Sequence, residues 1–134
     1  MAGSDGATRH QSRERALGLL YEAEMKGETP TAVLAALPVA PDPFCVALVT
    51  AVDARGREAD ELVAEASEGW SLERMAVVDR LVLRLAVTEL LSGDEVPVAV
   101  VIDEAVQLAK TYSTDDSGRF VNGVLSTVAE RTRG

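Results

Sequence analysis

The segment Val77–Leu91 constrains the fold most, because it is apolar on nearly every side of a helix. One face carries apolar residues at helical spacing, and the other faces add more of them: Val78, Leu81, Val82, Leu85 and Ala86, then Leu83, Val87, Leu90 and Leu91. A helix that is hydrophobic all round has to be surrounded by other elements. We therefore expect this segment to form the central helix of a helical core.

The segment Ser12–Lys26 has the pattern of an amphipathic helix. Its apolar arc is formed by four residues, Ala16, Leu19, Leu20 and Ala23. At 100° per residue these positions fall on one face, which predicts a helix packed by one side. Gly27 is placed as a helix stop, and Pro30 then opens a short second helix over Thr31–Leu37.

The dipeptide Asp42-Pro43 is a helix start signal, since an N-cap acceptor is followed by proline at the first helical position. It leads a long segment from Phe44 toward Glu68, which Gly69 ends. Ser71 is then in position to cap the central helix. The long segment is rich in acids, which predict a solvated face.

Two more helices follow the break around Gly93 and Pro97. Helical spacing of Ile102, Ala105, Val106 and Ala109 runs up to Tyr112, and Ser113 with Asp116 has capping-box spacing for a final helix to about Arg131. The inner stripe of that helix is Val121, Val124, Leu125 and Val128. Because no convincing period-2 run is present, the sequence predicts an all-α fold of six or seven helices.

Length and cysteine content limit the class of protein. A chain of 134 residues fits one domain, so we expect a flexible tail over residues 1–8 and a single helical domain over residues 9–134. The single cysteine, Cys45, lies in an apolar run, which predicts a buried thiol and no metal or cofactor site. Neither a signal peptide nor a membrane span is indicated, so a cytoplasmic location is expected.

The charge is segregated along the chain. The net charge of −9 opposes nucleic-acid binding when taken alone. However, Arg9, Arg13 and Arg15 cluster with His10 near the start, whereas residues 53–73 carry many more acids than arginines. The N-terminal part is therefore locally attractive to phosphate.

Three stretches of this sequence resemble the NusB family of transcription antitermination factors. They read RERALGLLYEAE, WSLERMAVVDRLVLRLAVTELL and VPVAVVIDEAVQLAKTYSTDDSGRFVNGVL, in that order. The resemblance covers roughly residues 9 to 130 and implies a fold of two packed three-helix bundles. It also implies a protein without an active site that binds boxA RNA of ribosomal RNA leaders. In that family, binding is shared with the ribosomal protein NusE, and the pair joins an RNA polymerase antitermination complex.

The same resemblance implies which residues contact RNA. Arg9, His10 and Arg13 match the arginine-rich first helix, and arginine suits phosphate gripping and base stacking. Tyr21 matches an RNA contact, although its position at the edge of the apolar arc also fits a core-edge tyrosine. The first-helix patch is thinner than in many relatives, which predicts salt-sensitive binding without a partner.

A second group of RNA-contacting residues is expected at the start of the last helix. Phe120 resembles a stacking phenylalanine, with burial in the first helical turn as the alternative. Arg119 is placed to contact phosphate, and Asp116 matches a position near RNA, where we interpret it as a capping and positioning residue. Asn122 and Gly123 are better explained by helix packing.

Asp79 matches a family acid on the surface that faces NusE, and an acid there suits a basic ribosomal protein. A solvated helix charge, compensated by Arg80 and Arg84, is the alternative.

Two other classes of protein share some of these features. NusB-like domains also occur fused to ribosomal-RNA cytosine methyltransferases, but a methyltransferase needs an α/β domain for which this helical chain has no room. The other alternative is a homodimeric helical scaffold with weak or regulated RNA binding, which the low number of basic residues favours.

Overall fold

The computed structural model describes residues 7–93 and 95–133, and all regular structure in them is helical. There are six α-helices and one short 3-10 helix, which confirms the all-α prediction. The α-helices are α1 (Arg9–Lys26), α2 (Pro30–Ala35), α3 (Pro43–Ala66), α4 (Val77–Leu91), α5 (Val98–Tyr112) and α6 (Ser117–Arg133), and the 3-10 helix is Leu72–Arg74. Most of the predicted tail, residues 1–6, lies outside the described residues.

Both ends of α1 follow from its sequence. The Thr8 hydroxyl accepts a hydrogen bond from the Gln11 backbone N–H at 3.1 Å, and the Gln11 side chain accepts from the Thr8 N–H at 2.9 Å. This is a reciprocal capping box. Gly27 ends the helix in the left-handed conformation, with φ of 67°. The predicted apolar arc is buried, namely Ala16, Leu19, Leu20 and Ala23.

Side-chain acceptors hold the next two helices in place. Asp42 caps α3, because its Oδ2 accepts from the Cys45 backbone N–H at 3.1 Å and from the Ser12 hydroxyl at 2.7 Å. The second bond ties the start of α3 to α1. Asp53 accepts from the backbone N–H of Thr31 at 3.1 Å and also from its hydroxyl, which ties α2 to α3.

The central position predicted for Val77–Leu91 is confirmed. Nearly every residue of α4 from Leu81 to Leu90 is buried. Helices α4, α5 and α6 all pack against one another as a three-helix bundle. The predicted inner stripe of α6 is also buried, namely Val121, Val124, Leu125 and Val128.

The chain divides into two compact units, Met1–Ala54 and Arg55–Gly134, with the boundary inside α3. The first unit contains α1, α2 and the beginning of α3. The second contains the rest of α3, the 3-10 helix and the three-helix bundle. Within the second unit, Arg84 forms two hydrogen bonds of 2.9 Å with the Asp60 carboxylate and so joins α4 to α3.

Two predicted helix starts were wrong. Ser71 precedes the 3-10 helix rather than α4, which begins only after Ala76. At α6 the polar turn lies one residue later than the Ser113–Asp116 box, since the Thr114 backbone N–H donates to the Ser117 hydroxyl at 3.2 Å. Several polar residues compete to close such a turn, and the sequence pattern does not rank them.

Across the described parts of the chain, none of the helices has the length and apolar character that crossing a membrane requires.

Candidate nucleic-acid interface

In the first unit, two predicted RNA-contacting arginines share one aromatic partner. The guanidinium carbon of Arg9 lies 4.5 Å from the centroid of the Phe44 ring, and that of Arg13 lies 5.1 Å from it. Both distances are within cation–π range. Arg9 and Arg13 are one turn apart on α1, and Phe44 directly follows the Asp42-Pro43 start of α3. Phe44 therefore contacts both guanidinium groups and contributes to their orientation.

Arg9 and Arg13 differ in what they offer a ligand. Arg9 is exposed, whereas Arg13 is only 3% exposed. A buried guanidinium presents little surface to RNA, so the burial of Arg13 favours an indirect role through Phe44. Its contact with RNA stays a prediction.

His10 and Tyr21 are the other predicted contacts on α1. His10 Nε2 lies 3.8 Å from Glu14 Oε2, so a carboxylate already faces the imidazole. Tyr21 is 44% exposed, and Met25, one turn later, is 53% exposed. This exposure fits both a ligand contact and a core-edge tyrosine, so the RNA contact of Tyr21 stays a prediction.

In the second unit, a cavity of about 330 Å³ brings together residues that the sequence assigned to different partners. Phe120 and Asp116, predicted for RNA, line it together with Asp79, predicted for the protein partner. The complete lining is Trp70, Arg74, Met75, Ala76, Asp79, Thr114, Asp116, Ser117 and Phe120. Its volume is at the lower end of the range of about 300–1,000 Å³ for ligand pockets.

Asp79 stands in the first turn of α4, where a carboxylate is favoured by the helix dipole. Among the residues that the structure describes, its Oδ1 is the buried side-chain atom that lacks a hydrogen-bond partner. The expected compensation by Arg84 was wrong, because that guanidinium binds Asp60 instead. A buried carboxylate oxygen without a donor is costly, and a ligand that brings an N–H donor would relieve the cost.

The start of α6 presents the remaining predicted RNA contacts. Asp116 and Arg119 are exposed and Phe120 is half-buried. The Asp116 carbonyl accepts the Phe120 backbone N–H at 3.2 Å, while the hydrogen-bonded turn before the helix is closed by Thr114 and Ser117. The prediction that the Asp116 side chain caps the helix was therefore wrong. That side chain lines the cavity instead.

Asn122 and Gly123 were wrongly assigned to helix packing. Both are exposed, and a Cβ added to Gly123 would meet no atom within 4 Å.

Sequence reasoning missed three residues of these sites, Phe44, Trp70 and Arg74. The Trp70 ring is 6.3 Å from the Phe120 ring, centroid to centroid, at an angle of 64°. A usable signal was present for Trp70, because it is the one tryptophan of a chain with few aromatic residues. No comparable signal marked Phe44, since its partners lie about thirty residues earlier in the chain.

The described residues show no cluster of three or more His, Cys, Asp or Glu side chains placed to hold a metal ion. Cys45 is fully buried, as predicted, and burial raises the pKa of its thiol to about 11. A thiol in that state is a poor nucleophile.

These features define a helical binding protein whose sites consist of aromatic rings, arginines and an unsatisfied carboxylate. The family model described as the NusB family matches residues 10–130. The chain is 50% identical over 127 residues to the transcription antitermination protein NusB of Saccharopolyspora erythraea, covering 90% of this chain and 86% of that protein. The NusB of Salinispora tropica is 48% identical over 129 residues, covering 91% and 95%. The chain therefore belongs to the NusB family.

Solved structures agree with this assignment. T. maritima NusB matches with a TM-score of 0.86 and 34% identity, covering 96% of this chain and 94% of that one. A crystal structure of antitermination factors NusB and NusE in complex with double-stranded RNA matches with a TM-score of 0.78 and 28% identity, covering 92% and 96%. The expectation that the chain is not an enzyme agrees with membership of this family.

Proposed function

We propose that this protein is an RNA-binding transcription antitermination factor that binds boxA RNA together with NusE and joins the RNA polymerase antitermination complex. The observation that carries the proposal is the cavity of the second unit, whose lining includes Asp79, Asp116 and Phe120. Residues expected to meet a protein and residues expected to meet RNA thus border one space. The solved relative that contains NusB, NusE and RNA provides the precedent for such a joint assembly.

The RNA side of the proposal rests on exposed arginines and aromatic rings. Arg9 and Tyr21 in the first unit and Arg119 with Phe120 in the second offer guanidinium groups for phosphate and rings for bases. Unpaired RNA exposes both, and one base stacked on an aromatic ring contributes on the order of 1 to 3 kcal/mol. His10 and Asp116 adjoin these residues, and Arg13 acts through Phe44.

The protein side rests on Asp79. Its unpartnered Oδ1 is an acceptor that a lysine or arginine of a basic ribosomal protein would satisfy. Such a pair removes the cost of the buried oxygen only in the complex, so it favours binding over folding.

The net charge of −9 favours a role for a basic protein partner in RNA binding. Few arginines are available for phosphate contacts, and the remaining surface repels RNA at low salt. A basic partner bound at Asp79 would neutralise part of that field and add its own phosphate contacts. We propose that residues 9–134 act as one domain in this assembly and that the protein works in the cytoplasm.

The test is a titration of fluorescently labelled boxA RNA with the protein, followed by anisotropy, alone and with NusE. We expect binding that NusE tightens and that an RNA of the same composition in scrambled order competes for poorly. Absence of binding under both conditions would overturn the proposal. Light scattering on the same samples determines whether the free protein is a monomer or a homodimer. A homodimer that does not bind RNA and does not dissociate when RNA is added would favour the scaffold alternative.

A further inference from the structure

Trp70 presents its ring from a backbone that is held in place. The Trp70 backbone N–H donates to the Ser67 carbonyl at 3.1 Å, and the Ser67 hydroxyl donates to the Trp70 carbonyl at 2.9 Å. Ser67 is buried, whereas Trp70 is 54% exposed. These hydrogen bonds hold the main chain of Trp70 while its ring faces solvent. Because the main chain is already ordered, less conformational entropy is lost when a ligand covers the ring.

The ring of Trp70 adjoins the ring of Phe120 in an edge-to-face arrangement, with centroids 6.3 Å apart and planes inclined by 64°. Phe120 is the residue for which base stacking is already proposed. Two bases that stacked on these two rings would be inclined to each other by a similar angle. Successive bases of a regular helix are nearly parallel, so the pair of rings suits an unpaired strand that turns between two nucleotides.

Each of the two rings has an exposed arginine close to it, one in the cavity lining and one in the sequence. Arg74 is exposed and lines the same cavity as Trp70, while Arg119 is exposed and directly precedes Phe120. Aromatic rings interleaved with cations are the usual composition of a single-strand binding surface. The carboxylates of Asp79 and Asp116 line the cavity as well, and Arg74 offsets part of their negative charge there.

We propose that Trp70 is a second base-stacking residue of the RNA surface, next to Phe120, and that Arg74 contacts the adjoining phosphate. The proposal rests on the proposed function and adds residues to it. RNA is the occupant to which this edge of the cavity is assigned, because Trp70 and Phe120 present two adjoining rings to it and Arg74 adds a cation.

The first test uses the fact that Trp70 is the only tryptophan of the chain. Its intrinsic fluorescence therefore reports on this position alone. On addition of unlabelled boxA RNA we expect quenching that saturates at the same concentration as the anisotropy change of labelled RNA. If labelled RNA binds and the fluorescence of Trp70 is unchanged, this inference fails while the proposed function stands. If labelled RNA does not bind at all, the proposed function fails.

The second test separates stacking from support of Phe120. Trp70→Leu should weaken RNA binding by about 5- to 100-fold, the range expected for one stacked base, and Trp70→Phe should restore most of it. If Trp70 only held Phe120 in place, Trp70→Leu would have no effect in a Phe120→Leu background. Independent stacking predicts that the two losses multiply. Far-ultraviolet circular dichroism and thermal unfolding of each variant show that the comparison is made between folded proteins.

The partner-protein outcome is measured with the same signal. A change in Trp70 fluorescence on addition of NusE without RNA, together with none on addition of RNA, would assign Trp70 to the protein interface and overturn the inference.

The phosphate contact of Arg74 is tested by salt dependence. Arg74→Gln should reduce the dependence of RNA affinity on salt concentration, whereas an unchanged salt dependence would show that Arg74 does not contact phosphate.

Discussion

The guanidinium of Arg9 lies 4.5 Å from the centroid of the Phe44 ring, which places the exposed arginine of α1 against the first turn of α3. Arg13, one helical turn later, lies 5.1 Å from the same centroid and is buried. The Phe44 ring thus contacts the exposed guanidinium of Arg9 and the buried guanidinium of Arg13, and it helps to orient Arg9. Orientation before binding lowers the entropy that a flexible arginine would lose on meeting phosphate.

The first prediction follows from this contact. Phe44→Leu keeps the apolar bulk but removes the ring, so RNA affinity should fall by about 3- to 10-fold, as expected for loss of roughly 0.7 to 1.4 kcal/mol of cation–π interaction. Phe44→Tyr keeps the ring and should bind nearly as the unmodified protein does. Anisotropy with labelled boxA RNA measures both variants. Equal affinities for the leucine and tyrosine variants would show that the ring does not position Arg9.

Asp79 leads to a prediction in which binding and stability respond differently. Asp79→Asn should change the free energy of unfolding by less than about 1 kcal/mol, because the loss of helix-dipole stabilisation is offset by removal of a carboxylate whose buried Oδ1 has no hydrogen-bond partner. Affinity for NusE should fall by about 2 kcal/mol, roughly 30-fold, because a charged pair is lost. Calorimetric titration and thermal unfolding measure the two effects.

The matched control for Asp79 is Asp103→Asn, which makes the same change of charge at an exposed position of α5. It should leave NusE affinity within a factor of about two, as expected for surface charges. Equal losses from the two variants would show that net charge, rather than a contact at Asp79, governs the interaction.

Asp42 makes the stability of the first unit depend on pH. Desolvation raises the pKa of its carboxyl, but hydrogen bonds from Ser12 and from the backbone N–H groups of Cys45 and Phe44 outweigh it, so the pKa is lowered from 3.8. The carboxylate therefore stabilises the fold above the unfolded pKa, and this contribution is lost as the pH falls through the folded pKa.

We accordingly expect Asp42→Ala to cost about 1 kcal/mol or more at about pH 7, the usual effect of losing an N-cap, and clearly less at about pH 2. Asp42→Asn keeps a neutral capping acceptor and should cost less than the alanine variant at neutral pH. Urea unfolding at the two pH values provides the measurement. A cost for Asp42→Ala that is the same at both pH values would contradict a role for the ionised carboxylate.

Arg133, in the last turn of α6, binds backbone carbonyls at the C-terminal end of α4 and in the loop that follows. Its guanidinium donates to the carbonyls of Leu90 at 3.1 Å, Val96 at 2.6 Å and Glu89 at 3.2 Å, and also to the carbonyl of Gly93. Arg133→Lys loses the planar set of donors and should lower stability by about 2 kcal/mol, a fall in Tm of roughly 6–10 °C.

Arg131→Lys is the control for Arg133, since Arg131 is exposed and forms a 3.7 Å ion pair with Glu65 on the surface. Its effect on the free energy of unfolding should stay within about 0.5 kcal/mol. Similar Tm values for the two variants would show that the carbonyl cluster contributes little.

The sequence predicted those parts of the fold that depend on local pattern. Leu83 and Val87 indicated a central helix because apolar residues lay on all its sides, and the Asp42-Pro43 pair located the start of α3 within one residue. Both signals arise from neighbouring residues, which a one-dimensional pattern contains.

Contacts between distant residues could not be predicted in this way. The hydrogen bonds of Arg84 to Asp60 and the missing partner of Asp79 Oδ1 both depend on how the helices pack. The same holds for the ring of Phe44 beneath Arg9. Family resemblance supplied the residues at which to look for RNA, but their packing partners came from the structure.

Antitermination by this protein is measured most directly as transcription through a terminator on a template that carries boxA upstream. We predict that adding this protein to an antitermination complex that lacks only a NusB protein raises readthrough in a boxA-dependent manner, and that Phe120→Ala raises it much less. Readthrough that stays at the background level while the protein is shown to bind both boxA RNA and NusE would contradict the claim.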